Sequence, residues 1–134
     1  MDRQGTILII DDDLDFAEAV RVILEQEGYG VFAADDGVKG IQMAREHKPD
    51  LVVLDLLMSP VDGITVCETL KTDPELSSTP VLVLTAVQEK MHLGPYSPEL
   101  SSRLQADDYL DKPIDPNTLV THIRGLVNRR ERSQ

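Results

Sequence analysis

Short apolar runs alternate along the chain with longer stretches in which apolar residues recur every three or four positions. Five runs, rich in Val, Ile and Leu, have the length and composition of β-strands, and most are continuous enough to be buried on both faces. They span residues 6–10, 29–34, 51–55, 80–84 and 107–110. Strands that alternate with helices predict a doubly wound, five-stranded parallel sheet of (βα)5 type with right-handed crossovers.

Helix-boundary signals support this order of elements. Asp13 or Asp15 can cap the first helix, because aspartate accepts hydrogen bonds from the free amides of a first turn. The second helical stretch contains Gly40, which lowers helix propensity by roughly 1 kcal/mol relative to alanine. The last helix has the clearest start, with Asp115 as its cap and Pro116 at its first position.

The segment between the fourth and fifth strands interrupts the helical pattern. It contains Gly94-Pro95 and Pro98, and proline in a helix interior costs roughly 3 kcal/mol or more. We therefore expect a loop to about Tyr96, followed by a short helix with Ser97 as its cap and Pro98 at its first position. The predicted architecture thus has an irregular or shortened fourth helix.

Composition narrows the class of protein. The 134 residues suffice to bury a core without disulfides, and we expect one domain over residues 1–134 with a core at about 5–128. A formal net charge of −11 argues against direct nucleic-acid binding and against an anionic membrane surface. Cys67 is the single cysteine, which excludes an internal disulfide. Since no signal-like amino terminus or membrane-length apolar run is present, we expect a soluble, cytoplasmic protein.

Polar residues follow the predicted strands at the points where the strands end. They are Asp11 and Asp12 after the first strand, Asp55 at the end of the third, Thr85 after the fourth and Lys112 after the fifth. In a parallel sheet these ends meet at one edge, where ligands bind. Clustered carboxylates repel one another and need a cation, and an all-oxygen set with room for water suits Mg²⁺ better than Zn²⁺ or a caged Ca²⁺. We expect Asp55 to be a nucleophile that becomes phosphorylated.

Four segments together resemble the receiver domain of two-component response regulators, the family typified by the chemotaxis regulator. They are residues 7–13, 49–63, 84–86 and 106–113. Each segment is a weak motif alone, but their joint order and spacing are specific and cover nearly the full chain. The resemblance implies a flavodoxin-like fold and a switch rather than a conventional enzyme. It also implies phosphorylation by a histidine kinase, a phosphotransfer protein or a small phosphodonor.

The resemblance implies roles for the acidic residues. Asp55 would accept the phosphoryl group in a self-catalysed step and lose it slowly. Asp12, Asp55 and the backbone carbonyl of Leu57 would bind Mg²⁺, and Asp11 would orient a metal-bound water. These roles depend on the match of each residue to the family motif.

The resemblance also implies how the signal is passed on. Thr85 would hydrogen-bond the phosphoryl group, and Lys112 would pair with its charge. Tyr109 matches the family's aromatic switch position. The implied partner is a downstream protein or output domain, which the sequence does not identify, and the implied state is a monomer or weak dimer.

Two stretches depart from the family pattern. The family usually has Met-Pro after the phosphoacceptor, whereas this chain has Met58-Ser59 and carries the proline at Pro60. The segment from Val87 to Gln105 is also longer than is usual and is interrupted by prolines. The phosphorylation chemistry is expected to survive these changes, but the readout surface need not follow the family pattern.

Three rival functions compete with the receiver interpretation. A phosphatase of the haloacid dehalogenase type also places Asp-x-Asp after its first strand, but it requires a threonine or valine where this chain has Leu14 and Asp15. A calcium loop of the EF-hand type fails because Phe16 stands where glycine is needed and Val22 where glutamate is needed. A pseudo-receiver, which signals by protein binding without phosphorylation, stays open as an alternative.

Overall fold

The computed structural model describes residues 5–56, 63–85, 106–111 and 114–133; for Thr85, Asp111 and residues 130–133 it describes the backbone alone. These residues form five strands and four helices. They are β1 (Gly5–Ile10), α1 (Leu14–Gln26), β2 (Tyr29–Ala34), α2 (Gly37–His47), β3 (Leu51–Asp55), α3 (Gly63–Thr72), β4 (Val81–Thr85), β5 (Asp108–Asp111) and α4 (Pro116–Ser133). The irregular or shortened helix predicted between β4 and β5 lies outside the described residues, and α4 is therefore the C-terminal helix.

All strand pairs are parallel, in the order β2-β1-β3-β4-β5. Ile7 pairs with Leu51 across β1 and β3, and Val52 pairs with Val81 across β3 and β4. This is the flavodoxin-like order of a doubly wound sheet, as predicted. The direction of winding reverses between β1 and β3, which creates the crevice where such sheets bind ligands.

Two of the described helices pack on each face of the sheet. Successive side chains of a strand point to opposite faces, so one face takes Ile7 and Ile9 of β1 and the other takes Leu8 and Ile10. The first face packs against α1 and α4, and the second packs against α2 and α3. Because the central strands are buried on both sides, they appear in the sequence as continuous apolar runs.

The caps predicted for the first and last helices are present, whereas the cap predicted at Ser97 lies outside the described residues. The side chain of Asp13 accepts a hydrogen bond from the Phe16 amide at 3.1 Å, so Asp13 rather than Asp15 caps α1. The side chain of Asp115 accepts from the amide of Thr118 at 3.0 Å, at the start of α4. These bonds satisfy amides that have no partner within the helix.

Gly40, the residue that weakens the sequence signal of α2, has a packing role. A Cβ at this position would lie 2.6 Å from Cδ1 of Ile10, which is fully buried. Glycine therefore allows α2 to approach β1 closely, and the lower helix propensity accompanies that contact.

No helix in the described part of the chain combines the length and the apolar character needed to cross a bilayer.

Candidate functional site

The ends of β1 and β3 place two acidic residues side by side. Asp11 directly follows β1, and its amide donates to the carbonyl of Ala34 in β2 at 3.1 Å. Asp55 is the last residue of β3, and the amide of the next residue, Leu56, donates to the carbonyl of Leu84 in β4 at 3.1 Å. Both aspartates are thus held by backbone hydrogen bonds to neighbouring strands at the switch point of the sheet.

Three carboxylates converge at this point. Asp11, Asp12 and Asp55 each offer an oxygen, and these oxygens all lie within 4.8 Å of one another. Asp11 and Asp55 are 1% and 7% exposed, whereas Asp12 is open to solvent. One oxygen of Asp11 accepts from the amide of Asp13 at 2.9 Å, which orients the carboxylate. Two nearly buried acids and a third beside them form a strongly negative site with a solvent-facing side.

The donor set fits a hard divalent cation. Close carboxylates repel each other, and a cation removes that repulsion. The ligands present are oxygens, which Mg²⁺ prefers, whereas Zn²⁺ favours nitrogen and sulfur. Three carboxylates on one side, with Asp12 exposed, also leave space for the waters that Mg²⁺ retains.

The structure places the backbone of Thr85 at the same edge of the sheet. Thr85 ends β4 and pairs with Asp111 of β5, while the preceding residue, Leu84, pairs with Asp55. Two predicted site residues, Leu57 and Lys112, lie outside the described residues. The structure therefore brings together Asp11, Asp12 and Asp55, and it positions Thr85 beside them by strand register.

Tyr109 lies further along the sheet, on the edge strand β5. It pairs with Val83 of β4 and is 40% exposed. Partial burial raises the pKa of its phenol, and the nearby Cys67 and Asp107 raise it further. The side chain is thus partly packed and partly available at the surface.

A cleft of about 300 Å³ adjoins the acidic site between α1, β2 and α2. Its lining includes Asp11 and Leu14 and also Asp35 and Lys39. The ammonium of Lys39 donates to Asp35 at 3.1 Å, and this contact raises the pKa of Lys39. The sequence pattern did not indicate this pair, because Asp35-Asp36-Gly37 has the composition of an ordinary helix start.

The fold and the site together define a class of protein. It is a doubly wound α/β protein that carries a carboxylate cluster outside the ends of β1 and β3, at the topological switch point. A family model described as the response regulator receiver domain matches residues 7–124, and the chain belongs to that family. Its class of function is phosphorylation-based two-component signalling.

Known relatives agree with this assignment. The chain is 41% identical over 131 residues to the DNA-binding dual master transcriptional regulator RpaA of Synechocystis sp.. The alignment covers 94% of this chain and 50% of RpaA. It is 31% identical to the signal receiver domain of a signal transduction histidine kinase from Syntrophus aciditrophicus, with a TM-score of 0.80, covering 92% of this chain and 90% of that one.

The chemotaxis response regulator CheY4 of Vibrio cholerae has the same fold. The TM-score is 0.79 at 24% identity, covering 91% of this chain and 98% of that one. The predicted flavodoxin-like architecture and the predicted receiver family are therefore confirmed. The phosphatase and the phosphorylation-independent alternatives are not favoured by these relatives. The chain spans about half the length of the curated relatives that it matches.

Proposed function

We propose that Asp55 accepts a phosphoryl group from a phosphohistidine of a histidine kinase or phosphotransfer protein. The observation that carries this proposal is the convergence of Asp11, Asp12 and Asp55 within 4.8 Å at the switch point of a receiver-family sheet. Asp55 is the member of this cluster that ends the central strand. Small phosphodonors such as acetyl phosphate are expected to serve as well.

The cluster is proposed to hold Mg²⁺. Asp12, Asp55 and the backbone carbonyl of Leu57 are assigned as its ligands, with Asp11 acting through a bound water. When bound, Mg²⁺ supplies positive charge that neutralises the oxygens of the transferring group. The support is the all-oxygen donor set and the solvent-facing side at Asp12.

The transfer itself needs little from the protein beyond positioning. A carboxylate oxygen of Asp55 forms a bond to phosphorus as the bond from phosphorus to the donor nitrogen breaks, and that nitrogen keeps the electron pair and takes a proton. Thr85 is assigned to hydrogen-bond the phosphoryl oxygens and Lys112 to pair with their charge. The chain thus catalyses its own phosphorylation and a slow loss of the phosphoryl group by hydrolysis, without turning over a substrate as a conventional enzyme does.

The readout is proposed to be a shift between two surface states. Phosphorylation draws Thr85 toward the phosphoryl group, and Tyr109 on β5 changes its exposure in response. A downstream protein or an output domain binds the altered surface.

The chain is assigned as a single receiver domain over residues 1–134, with its core at about 5–128. We place it in the cytoplasm as a monomer or weak dimer. RpaA is described as DNA-binding, and this chain spans half of it. With a net charge of −11, the chain itself is a poor surface for nucleic acid, and we assign no DNA contact to it.

Intact mass spectrometry after incubation with acetyl phosphate and Mg²⁺ tests the proposal. We expect the mass of one phosphoryl group to be added to the wild-type chain. The Asp55→Asn variant and a sample without Mg²⁺ serve as controls, and neither is expected to gain mass. A folded wild-type protein that gains no phosphoryl group under these conditions would instead support the phosphorylation-independent module.

A further inference from the structure

Gly63 is the first residue of α3 and lies against the chain segment that carries the phosphoacceptor. A Cβ at this position would lie 2.4 Å from the carbonyl oxygen of Asp55 and 2.4 Å from both Cα and the carbonyl oxygen of Leu56. Real Cβ atoms essentially never come closer than 3.0 Å to such atoms. Because these neighbours are backbone, any side chain at position 63 must displace the Asp55–Leu56 segment or the start of α3.

Space, and not backbone conformation, requires glycine here. Gly63 is the first helical residue of α3, and the helical conformation is open to residues other than glycine. Gly63 is also buried, with Val66 and Cys67 of the same helix packed in the core behind it. The glycine therefore serves the close approach of α3 to the end of β3.

We infer that Gly63 is a positioning residue for phosphoryl transfer, which holds the backbone of Asp55 and Leu56 in place through the first turn of α3. This inference rests on the proposed function, in which Asp55 is the acceptor. The amide of Leu56 donates to the carbonyl of Leu84 in β4, and the first residue of α3 lies against the carbonyls of Asp55 and Leu56. The acceptor aspartate is thus clamped at its backbone before its side chain meets a phosphodonor.

The rate of Asp55 phosphorylation in Gly63→Ala tests the inference. A displacement of several tenths of an ångström at the acceptor is expected to slow transfer about 10- to 100-fold, because misplacement of about 1 Å can slow a reaction 100-fold. The Mg²⁺ concentration for half-maximal rate should rise as well, since Asp55 is also an assigned metal ligand. Both quantities are measured on folded protein with acetyl phosphate as donor.

Gly5→Ala is the matched control for loss of stability. Gly5 has φ of 139°, and a Cβ there would lie 2.9 Å from Oδ2 of Asp50, so this variant is also strained. It lies at the amino end of β1, whereas the acidic site lies at the carboxyl ends of the strands. Gly5→Ala should therefore be less stable than the wild type but should keep its phosphorylation rate and its Mg²⁺ dependence.

A second background keeps the test decisive if Gly63→Ala folds poorly. A Cβ at Gly125 in α4 meets no atom within 4 Å, so Gly125→Ala raises helix propensity without a clash. Gly63→Ala is therefore also made in the Gly125→Ala protein. A Gly63→Ala variant that is phosphorylated at the wild-type rate, with unchanged Mg²⁺ dependence, would overturn the inference.

Nuclear magnetic resonance of the ¹⁵N-labelled wild type gives an independent result that needs no glycine variant. Phosphorylation should shift the amide signal of Gly63, while the signal of Gly125 stays in place. A Gly63 signal that does not move when those of Asp12 and Asp13 do would overturn the inference. If the wild-type chain takes no phosphoryl group on Asp55 at all, the proposed function itself is wrong, which is a different outcome.

Discussion

At the scale of single residues, Cys67 shows how burial changes chemistry. It lies on the inner face of α3 with no exposed surface. Burial raises the pKa of its thiol to about 11, and the nearby ammonium of Lys71 offsets only part of this effect. The thiol is therefore protonated and shielded in the folded protein across the physiological pH range.

The raised pKa of Cys67 predicts a loss of stability in alkali. The folded pKa is above the unfolded one, so the contribution is complete below pH 9 and is lost as pH rises to about 11. We expect the wild type to lose about 3 kcal/mol more unfolding free energy than Cys67→Ala over this range. Urea unfolding of both proteins at several pH values measures the difference, and parallel curves would contradict the prediction.

Lys48 ends α2 in a left-handed conformation, with φ of 46°. A side chain in this region costs about 1–2 kcal/mol, whereas glycine adopts it freely. We expect Lys48→Gly to gain about 0.5–1 kcal/mol in unfolding free energy after the entropy cost of glycine is included. Lys48→Ala, which keeps the Cβ and equally loses the exposed contact with Glu75, is the control and should show no gain in denaturant unfolding.

The residue scale is also where sequence prediction is weakest. The acids of the site could be found because they follow apolar runs, and Asp13 and Asp115 could be found because caps are local. The role of Gly40 depends on a contact with Ile10, which is distant in the sequence. The role of Gly63 depends on a contact with Asp55, at the end of the preceding strand. Helix propensity therefore marks Gly40 as a weak point of α2, although glycine at this position permits close packing against Ile10.

At the scale of elements, the strands were predicted closely because buried parallel strands are continuous apolar runs. β2 and β3 have the predicted bounds, and β4 and β5 begin one residue later than predicted. The predicted first residues, Pro80 and Asp107, nevertheless bond to neighbouring strands. The carbonyl of Pro80 accepts from the amide of Val52, and the amide of Asp107 donates to the carbonyl of Val81. Both residues thus make a single ladder bond just outside the strand.

We expect the cap at Asp115 to contribute measurably to the stability of α4. Its carboxylate accepts from the amide of Thr118 at 3.0 Å and from the hydroxyl at 3.2 Å. Asp115→Ala should lower the unfolding free energy by about 1 kcal/mol, because the first-turn amide loses its partner. Asp115→Asn keeps an acceptor oxygen and should retain most of the stability. Equal losses in the two variants, measured by thermal or urea unfolding, would contradict the assignment of the lost stability to the hydrogen bonds of the cap.

At the scale of the whole molecule, the site depends on the order of the strands. Asp11 and Asp55 are far apart in the chain and meet because β1 and β3 pair directly. Alternating strands and helices predict a shared edge for these residues, but only the observed order shows which strand ends are neighbours. The cleft beside Lys39 could not be predicted, since its lining residues come from β2 and from α1 and α2, which pack on opposite faces of the sheet.

If the clustered carboxylates hold Mg²⁺ as proposed, the stability of the chain depends on the cation. We expect Mg²⁺ at 100 times its dissociation constant to raise the unfolding free energy of the wild type by about 2.7 kcal/mol. Asp12→Asn should be more stable than the wild type without Mg²⁺, because one repelling charge is removed, and should gain less from Mg²⁺.

Glu46→Gln controls for the change in net charge in this experiment. Glu46 is exposed on α2 and lies outside the carboxylate cluster, so its variant should respond to Mg²⁺ as the wild type does. Thermal unfolding with and without Mg²⁺ measures all three proteins. A response of Asp12→Asn equal to that of the wild type would remove Asp12 from the set of ligands.

The central place of β3 has a consequence for how the chain opens. All five of its residues are buried, and β1 and β4 bond to it on either side, whereas β5 is a four-residue strand at the edge. Amide hydrogens of β3 should therefore exchange with solvent only through global unfolding, and those of β5 through cheaper local opening. Asp55 thus lies on the part of the chain that opens last, and Tyr109 on a part that opens early. Under the proposed function, a partner would select an opened edge strand while the strand that carries the phosphoacceptor stays intact.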